Sequence, residues 1–531
     1  MAPGARDAAR SALARAEALA SRRLGAAVLF VCGLVGYAID GVAWPLTAGR
    51  DRDEYLLFSL QAFDADTLLP WSMLFRTPGT PLVVGPALDL FGGALAEPVS
   101  AVLYAASIVS WAAAARTWGP RAALAVAAVL LFYPGYAAMF HELGSELVMG
   151  AAFALWALLF TRASVHPTLG RFAAAGAGVA LVTLVRPGNV VLLALALFPL
   201  VLPAPWRIRL GWAGAFAAAA VLPLLAWTLH NGLRYDEWGL ARGGKAVIPL
   251  YRALLFDRIV EPDNGPASRR VAEAVEEHLV TREPYRSYGI TTRQVFEEAS
   301  ARVHEDLYTV SDEVFGWDED YATLRKAGVE AVEAHPGAYA SGVLDTVWQQ
   351  LSEPYFREVG EPAAEPVPAP GSDELPPPSE GQLIPGGQNL WILRPDNAIR
   401  QEWTSPTAFR FVFDRPADRP RFDELVRRRD ELLAALPDRS GNATLALWLN
   451  RLSRWYPRPI LWVAVGVLAL ALRRTVRAST LVALATGALL VVVLNALGLG
   501  PDPHYVLPVA PAFVLFGLGA LLGPRTVAGQ A

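Results

Sequence analysis

The sequence predicts an all-α polytopic membrane protein with about ten transmembrane helices and an α-rich or mixed extracytoplasmic domain. Three observations carry that expectation. The 531 residues are 53% hydrophobic with a mean hydropathy of +0.32, more Leu, Ala and Val than a soluble chain of this size needs. Apolar runs of the length that crosses a bilayer core, about 17–25 residues, recur along both ends of the chain. Arginine clusters in alternate connections between those runs, as the positive-inside rule demands.

In order, the apolar runs fall at about 24–44, 96–115, 121–140, 144–161, 172–186, 188–204, 210–229, 457–472, 478–499 and 505–523. The joints near 140–144 and 186–188 are short, so those pairs are nearly fused. With the N-terminus inside, the cytoplasmic segments hold Arg6, Arg10, Arg15, Arg22 and Arg23, then Arg116 and Arg121, Arg162 and Arg171, Arg207 and Arg209, Arg473, Arg474 and Arg477, and Arg525. The outer turns at 141–144 and 500–504 carry no Arg or Lys. Both termini are therefore expected in the cytoplasm, in a multi-pass protein of the plasma (inner) membrane. Trp206, Trp227, Trp455 and Trp462 fall near span ends, where amphipathic rings favour the interface.

The organisation follows from these spans. Residues 1–23 form a cytoplasmic segment and 24–230 an N-terminal membrane module with a long first outer loop at 45–95. Residues 231–456 form an extracytoplasmic domain and 457–531 a C-terminal membrane module. Helical patterns appear at about 268–282 and 318–334, and a proline-rich stretch within 354–386 reads as a linker. In the first loop, Leu56, Leu57, Leu60 and Phe63 could form one apolar face lying in the interface.

Composition excludes several classes. A net charge of −4 without a basic block argues against nucleic acid. Cys32 is the sole cysteine, so neither an internal disulfide nor a thiolate metal site is available, and it reads as a small core residue of the first span.

Chemistry-bearing residues gather at the expected outer face. Asp51, Asp53 and Glu54 follow the first span; their carboxylates could act as bases, hold a divalent cation, or simply cap the helix beginning near Tyr55. Glu142 and Glu146 lie at the start of the fourth span, where an ionisable group is costly unless it faces a cavity or a partner. Arg186, before Pro187, is the one cation in the short outer turns, and an anionic ligand such as a lipid phosphate would account for it. His504 and Tyr505 open the last span, and Arg242 and Lys245 add positive charge after the seventh, with Arg234 and Arg252 near them. A base with a clamp for a phosphate leaving group would use such a set.

Several short motifs then carry a resemblance. Gly-Arg-Asp-Arg-Asp-Glu-Tyr places Asp51 four residues before Tyr55, and Arg76 opens Arg-Thr-Pro-Gly-Thr-Pro. Ser145-Glu146, Arg186-Pro187, His230-Asn231 with Gly243-Gly244, and His504-Tyr505-x-x-Pro508-x-x-Pro511 follow in order. This series resembles the GT-C superfamily of integral-membrane glycosyltransferases, in particular its dolichyl-phosphate-mannose and aminoarabinose-transferase-like branch. The resemblance covers about 24–250 and 457–523 and leaves 260–456 unmatched. It implies inverting transfer of a sugar from a polyprenyl-phosphate donor to an extracytoplasmic glycan, lipid or protein, amid membrane lipids and with no certain cofactor. It further implies that Asp51 is the base, with Asp53 the alternative in the doubled acidic pattern, and that Arg186 and His504 hold the donor phosphate. By position and charge, Arg242 and Lys245 are further phosphate-binding candidates, and Arg76, Glu142, Glu146 and Tyr505 further site candidates. His504 departs from the family, which usually has Arg there, and a titratable group would make donor binding pH-dependent. A transporter or flippase of lipid-linked sugars is the alternative, as is a non-catalytic scaffold. The first would favour ionisable groups near the bilayer midplane and inverted repeats, and neither is evident.

The charge bias makes the topology testable. A Ser372→Cys variant should be labelled from outside intact cells by an impermeant thiol reagent. Labelling only after permeabilisation would contradict the assignment of 231–456 to the outer side.

Overall fold

The computed structural model describes residues 23–49, 51–357, 375, 377–378, 381–384, 396, 398–406, 408–436, 440–473 and 475–525. The basic segment before Arg23, most of the proline-rich stretch and Ser372 lie outside the described residues.

The chain is predominantly helical and polytopic. Among the described residues six helices are long and apolar enough to cross a membrane: Leu24–Ala43, Ala96–Trp118, Ser145–Val165, Trp206–Tyr235, Ala443–Leu472 and Ala478–Gly498. A bent pair, Pro120–Leu131 and Pro134–His141, meets at 64°. Shorter apolar helices at Leu169–Val185, Pro187–Val201 and Ala510–Leu522 occupy the remaining expected runs. Prolines set the breaks. Pro134 cannot donate to the preceding turn, and Tyr133 before it is extended. In the same way Pro187 forces Arg186 out of the helix that ends at Val185, at φ −142° and ψ 114°.

Small residues let the spans pack closely, with Gly, Ala and Ser lining the seams. The buried centre of the bundle is aromatic: Tyr104, Trp111, Trp118, Tyr136, Phe140, Phe153 and Trp156 are all fully enclosed. Cys32, by contrast, sits on the exposed face of the first helix rather than in its packed seam. That face is lined by Val28, Val31 and Val35, all exposed, so the thiol faces the surroundings that these valines face.

The intervening region folds as a mostly helical domain. Pro266–His278, Ala301–Val314, Ala322–Ala334 and Pro336–Ser352 pack around Leu307, Trp317, Tyr285 and Tyr321. An antiparallel hairpin, Ile399–Ser405 with Ala408–Phe413, precedes helices Asp418–Ala434 and Ala443–Trp455. The domain is tied to the ends of the spans by side chains bonding helix-terminal carbonyls. Arg252 donates to Ala496 O at 2.8 Å and Leu499 O at 3.2 Å, Tyr339 to Leu497 O at 2.6 Å, and Gln350 to Gly500 O at 3.1 Å. These carbonyls have no partner within their own helix, so the anchors satisfy groups that burial would otherwise penalise.

The first loop is a wedge between the two halves. Its helix Arg52–Gln61 buries Leu56 and Leu57 and packs on Asp418–Ala434, so this apolar face belongs to the protein interior and not to a lipid interface. Phe63 lies beyond the helix end and is exposed. Trp71, Leu74 and Phe75, on the short helix Pro70–Phe75, complete the core of the polar domain. Two glycines fix the wedge. Gly49 donates to Leu143 O at 3.1 Å, extending a two-residue parallel pairing of Thr47–Ala48 with Glu142–Leu143. Gly79 donates to Leu184 O at 2.8 Å, and a Cβ there would come within 2.6 Å of the same oxygen. Only glycine permits so close an approach, which is the physical reason for the Gly in Arg-Thr-Pro-Gly-Thr-Pro.

Gly79→Ala should therefore lose about 1–3 kcal/mol through forced backbone displacement. Gly170→Ala, where no atom lies within 4 Å of the added Cβ, is the matched control. Thermal unfolding in detergent should show a lower Tm for the first variant only; equal values would mean that the loop does not depend on this contact.

Candidate functional site

The wedge closes a cavity of about 470 Å³ between the spans and the polar domain. Four kinds of wall meet there. The first loop supplies Asp51, Glu54, Tyr55, Trp71, Phe75 and Arg76. Helix beginnings and junctions supply Ser145, Glu146 and Arg186. The end of Ala478–Gly498 supplies Asn495, with Tyr505 beside it. The polar domain supplies Tyr251 and one face of helix Ala301–Val314.

Asp51 precedes helix Arg52–Gln61 but makes no side-chain capping bond. Its backbone is left-handed at φ 59°, a conformation Asp tolerates better than most residues at a cost of order 1–3 kcal/mol. The carboxylate instead meets Arg76 Nη2 at 3.0 Å, while Arg76 Nε donates to Glu54 at 2.7 Å. Arg76 thus bridges two carboxylates. Among the described residues no group of three or more His, Cys, Asp or Glu is arranged to hold a metal. Burial pushes the Glu54 carboxyl up to about 7, with Arg76 opposing and Asp51 and Asp53 adding to the rise. Glu305, on the polar domain, opens onto the cavity with an exposed side chain; the crowding of protein around it and the nearby charges of Glu54, Asp306 and Asp51 push its carboxyl up to about 7.

A second constellation surrounds Arg186. Its Nε and Nη2 donate to Ser145 Oγ at 3.0 and 2.7 Å, and Nη2 also pairs with Glu146 Oε1. Among the described residues Nη1 makes no hydrogen bond. His504 Nε2 lies 2.8 Å from that same Glu146 oxygen, so one carboxylate joins Arg186 to the start of the last span. The sequence explains the convergence. Pro187 ends one helix at Arg186, Gly144 opens the helix carrying Ser145 and Glu146, and Asp502 caps the turn that presents His504 through a 2.9 Å bond to its amide.

The structure thus brings Asp51, Arg76, Glu146, Arg186 and Tyr505 to the lining of one cavity. His504 stands behind Glu146, buried, and is not part of that lining. The other sequence candidates lie elsewhere. Asp53 turns towards Arg429, 3.8 Å away. Glu142 pairs its backbone with Thr47 beside the cavity. Arg242 is fully buried, bonded to Asp312 at 2.5 Å and packed over the Trp317 and Tyr321 rings. Lys245 is paired with both Glu237 and Asp320. Arg186 is paired as well, but it lines the cavity, whereas neither Arg242 nor Lys245 does, which removes the reason to assign these two to a phosphate there. Arg252 is likewise occupied, by Asp257 and the helix-end carbonyls. Glu305, Tyr308, Trp71 and Phe75 were not singled out by the sequence, and neither was the helix 301–314. Its polar stripe at His304, Glu305, Tyr308, Thr309 and Asp312 has a helical period and was the available signal.

No family model matches the chain, and no curated protein matches it. Two solved structures are similar over 94% of this chain and 78% of theirs: ArnT from Cupriavidus metallidurans bound to undecaprenyl phosphate, at 12% identity and a TM-score of 0.34, and an apo form of ArnT from Cupriavidus metallidurans, at 14% and 0.33. The chemistry of this chain is therefore argued from its own residues.

The raised carboxyls give a spectroscopic expectation. An ordinary glutamate is fully ionised at pH 6, whereas Glu54 and Glu305 should retain protons up to about pH 7. A folded-state value above the unfolded one stabilises the fold at low pH, and that stability is lost as pH rises through about 7. The infrared band of protonated carboxyls should titrate near neutrality and shrink in both Glu54→Gln and Glu305→Gln. A band that vanishes below pH 5 in wild type would contradict these positions.

Proposed function

We propose that the chain is a membrane glycosyltransferase that moves a sugar from a polyprenyl-phosphate carrier to an acceptor hydroxyl on the non-cytoplasmic face. The observation that carries this reading is the meeting, in one cavity at the ends of the spans, of a strained loop carboxylate, Asp51, with a junction arginine, Arg186. The first suits a base and the second an anion clamp.

In the proposed reaction Asp51 takes the proton of the acceptor hydroxyl as its oxygen attacks the anomeric carbon. The bond from that carbon to the phosphate oxygen breaks, its electron pair leaves with the phosphate, and configuration inverts. The leaving group departs as an anion, so it needs charge stabilisation more than protonation, and Arg186 provides it. Glu54 and Arg76 hold Asp51 in place: Arg76 keeps Asp51 in reach while sharing its charge with a carboxyl that burial leaves partly protonated near neutrality.

The Glu146 carboxylate has a role as a counterion. Before donor binding it neutralises Arg186. When a phosphate draws the guanidinium towards the cavity, His504 remains on Glu146, so that the buried carboxylate is not left alone. His504 is then a positioning residue that acts on donor binding through Glu146, where a phosphate contact of its own would need it on the wall. A carrier lipid reaching the cavity from the bilayer fits its location among the span ends, since the walls at Leu494, Gly498 and Val185 are apolar and belong to membrane helices.

Asp51→Asn should reduce transfer of label from a radiolabelled polyprenyl-phosphate sugar about 10²–10⁴-fold while preserving carrier binding. Arg186→Gln should weaken binding of undecaprenyl phosphate about 10–100-fold, the worth of a charge-assisted contact. Wild-type turnover in Asp51→Asn with loss in Glu54→Gln would move the base to Glu54. Unchanged turnover in all three variants would defeat the transferase reading.

A further inference from the structure

Helix Ala301–Val314 belongs to the part of the chain that carries no motif, yet it faces the cavity along one continuous stripe. Ala301, His304, Glu305, Tyr308, Thr309 and Asp312 recur at intervals of three, one, three, one and three residues, the spacing of a single helix face. Such a stripe on a soluble-domain helix is usually apolar and packed on a core. Here it carries an imidazole, two hydroxyls and two carboxyls, of which Glu305 is exposed to the cavity while Asp312 is held by Arg242, and apolar residues such as Val303, Leu307 and Val310 take the other side, in the domain core.

Aromatic rings adjoin the stripe. Tyr308 meets Phe75 edge-on with centroids 5.4 Å apart, Phe75 stacks on Trp71 at 4.5 Å, and His304 stands edge-on to both Tyr251 at 4.8 Å and Tyr308 at 4.9 Å. Trp71, Phe75, Tyr251 and Tyr308 all line the cavity. A pyranose or furanose ring presents an apolar C–H face and a rim of hydroxyls. Aromatic faces suit the first, and the Glu305 carboxyl, which can accept from a hydroxyl and when protonated also donate to one, suits the second.

The stripe also has a side. Glu305 feels the charges of Glu54, Asp51 and Arg76, the group around the base, whereas Arg186 is bonded to Ser145 and Glu146 at the helix junctions. In an inverting displacement the acceptor enters by the base and the phosphate leaves on the opposite side. We propose that the stripe of helix Ala301–Val314, with Glu305 accepting from ring hydroxyls and Tyr308 and Phe75 stacking on the ring face, is the acceptor subsite, and that the acceptor hydroxyl is presented by a sugar ring. This assignment rests on the transferase reading and deepens it: the polar domain, and not the membrane module, chooses the acceptor.

The test uses the full-length protein in nanodiscs, a panel of methyl hexosides as acceptor probes, and undecaprenyl phosphate to report the donor side. Saturation-transfer NMR should detect ring protons of at least one hexoside on wild type. Glu305→Gln should weaken that binding at least about tenfold and Tyr308→Ala should abolish it, both with undecaprenyl phosphate affinity unchanged within about twofold. Retained carrier binding also shows that the variants are folded. The hexoside signal should persist when a hexosyl undecaprenyl phosphate occupies the donor side. Displacement of the hexoside by that donor would assign the ring subsite to the donor sugar and overturn the proposal. So would hexoside binding that is absent in wild type or indifferent to both variants. Failure of wild type to bind undecaprenyl phosphate is a separate result, which would defeat the transferase reading itself.

Discussion

The structure turns on one shared carboxylate. Glu146 lies at the start of a membrane helix, where an unpaired charge is expensive, and it is held by Arg186 from one helix junction and His504 from the start of another. Removing one member of such a buried pair typically costs about 3–5 kcal/mol, because the remaining charge is stranded. Three elements far apart in sequence are thereby pinned at one point of the membrane edge. That arrangement stabilises little that an apolar seam could not. What it does achieve is an arginine held in a cavity with donors still available to a ligand.

The first loop completes the cavity from the other side. Its glycine contacts at Leu143 and Leu184 dock it directly on the helix ends that carry Ser145, Glu146 and Arg186. Asp51 and Arg186 are thus positioned by the same few backbone contacts, and a displacement of the loop would move both. The opposite end of the loop is buried in the polar domain through Trp71, Leu74 and Phe75. The loop that carries Asp51 is thus the mechanical link between the membrane spans and the polar domain with its helix Ala301–Val314.

Much of this was legible in the residues. Apolar length and arginine bias give the helical membrane class, because the bilayer imposes both on any chain. Arg186 was visible as a cation that topology did not require, and Asp51 as an acid in a motif. What the sequence hid is of two kinds. Arg242 and Lys245 look like free cations until Asp312, Glu237 and Asp320 fold onto them from as many as 75 residues away. Pairing at that distance leaves no local pattern. Glu305 and Tyr308 were overlooked for the opposite reason: an amphipathic helix ordinarily buries its apolar stripe and solvates its polar one, and here the polar stripe faces an enclosed cavity. Leu56 and Leu57 misled for a related reason, since an apolar helical face near a membrane reads as interfacial until a second helix covers it.

The central claim is that Arg186, released from Glu146, receives the phosphate of a polyprenyl carrier. A cryo-EM map of the full-length protein with undecaprenyl phosphate tests it directly. The account predicts phosphate density about 3 Å from the Arg186 guanidinium, with the lipid tail leaving between the spans and His504 still against Glu146. Phosphate density beside Arg242 and Lys245, with Arg186 closed on Glu146, would contradict it.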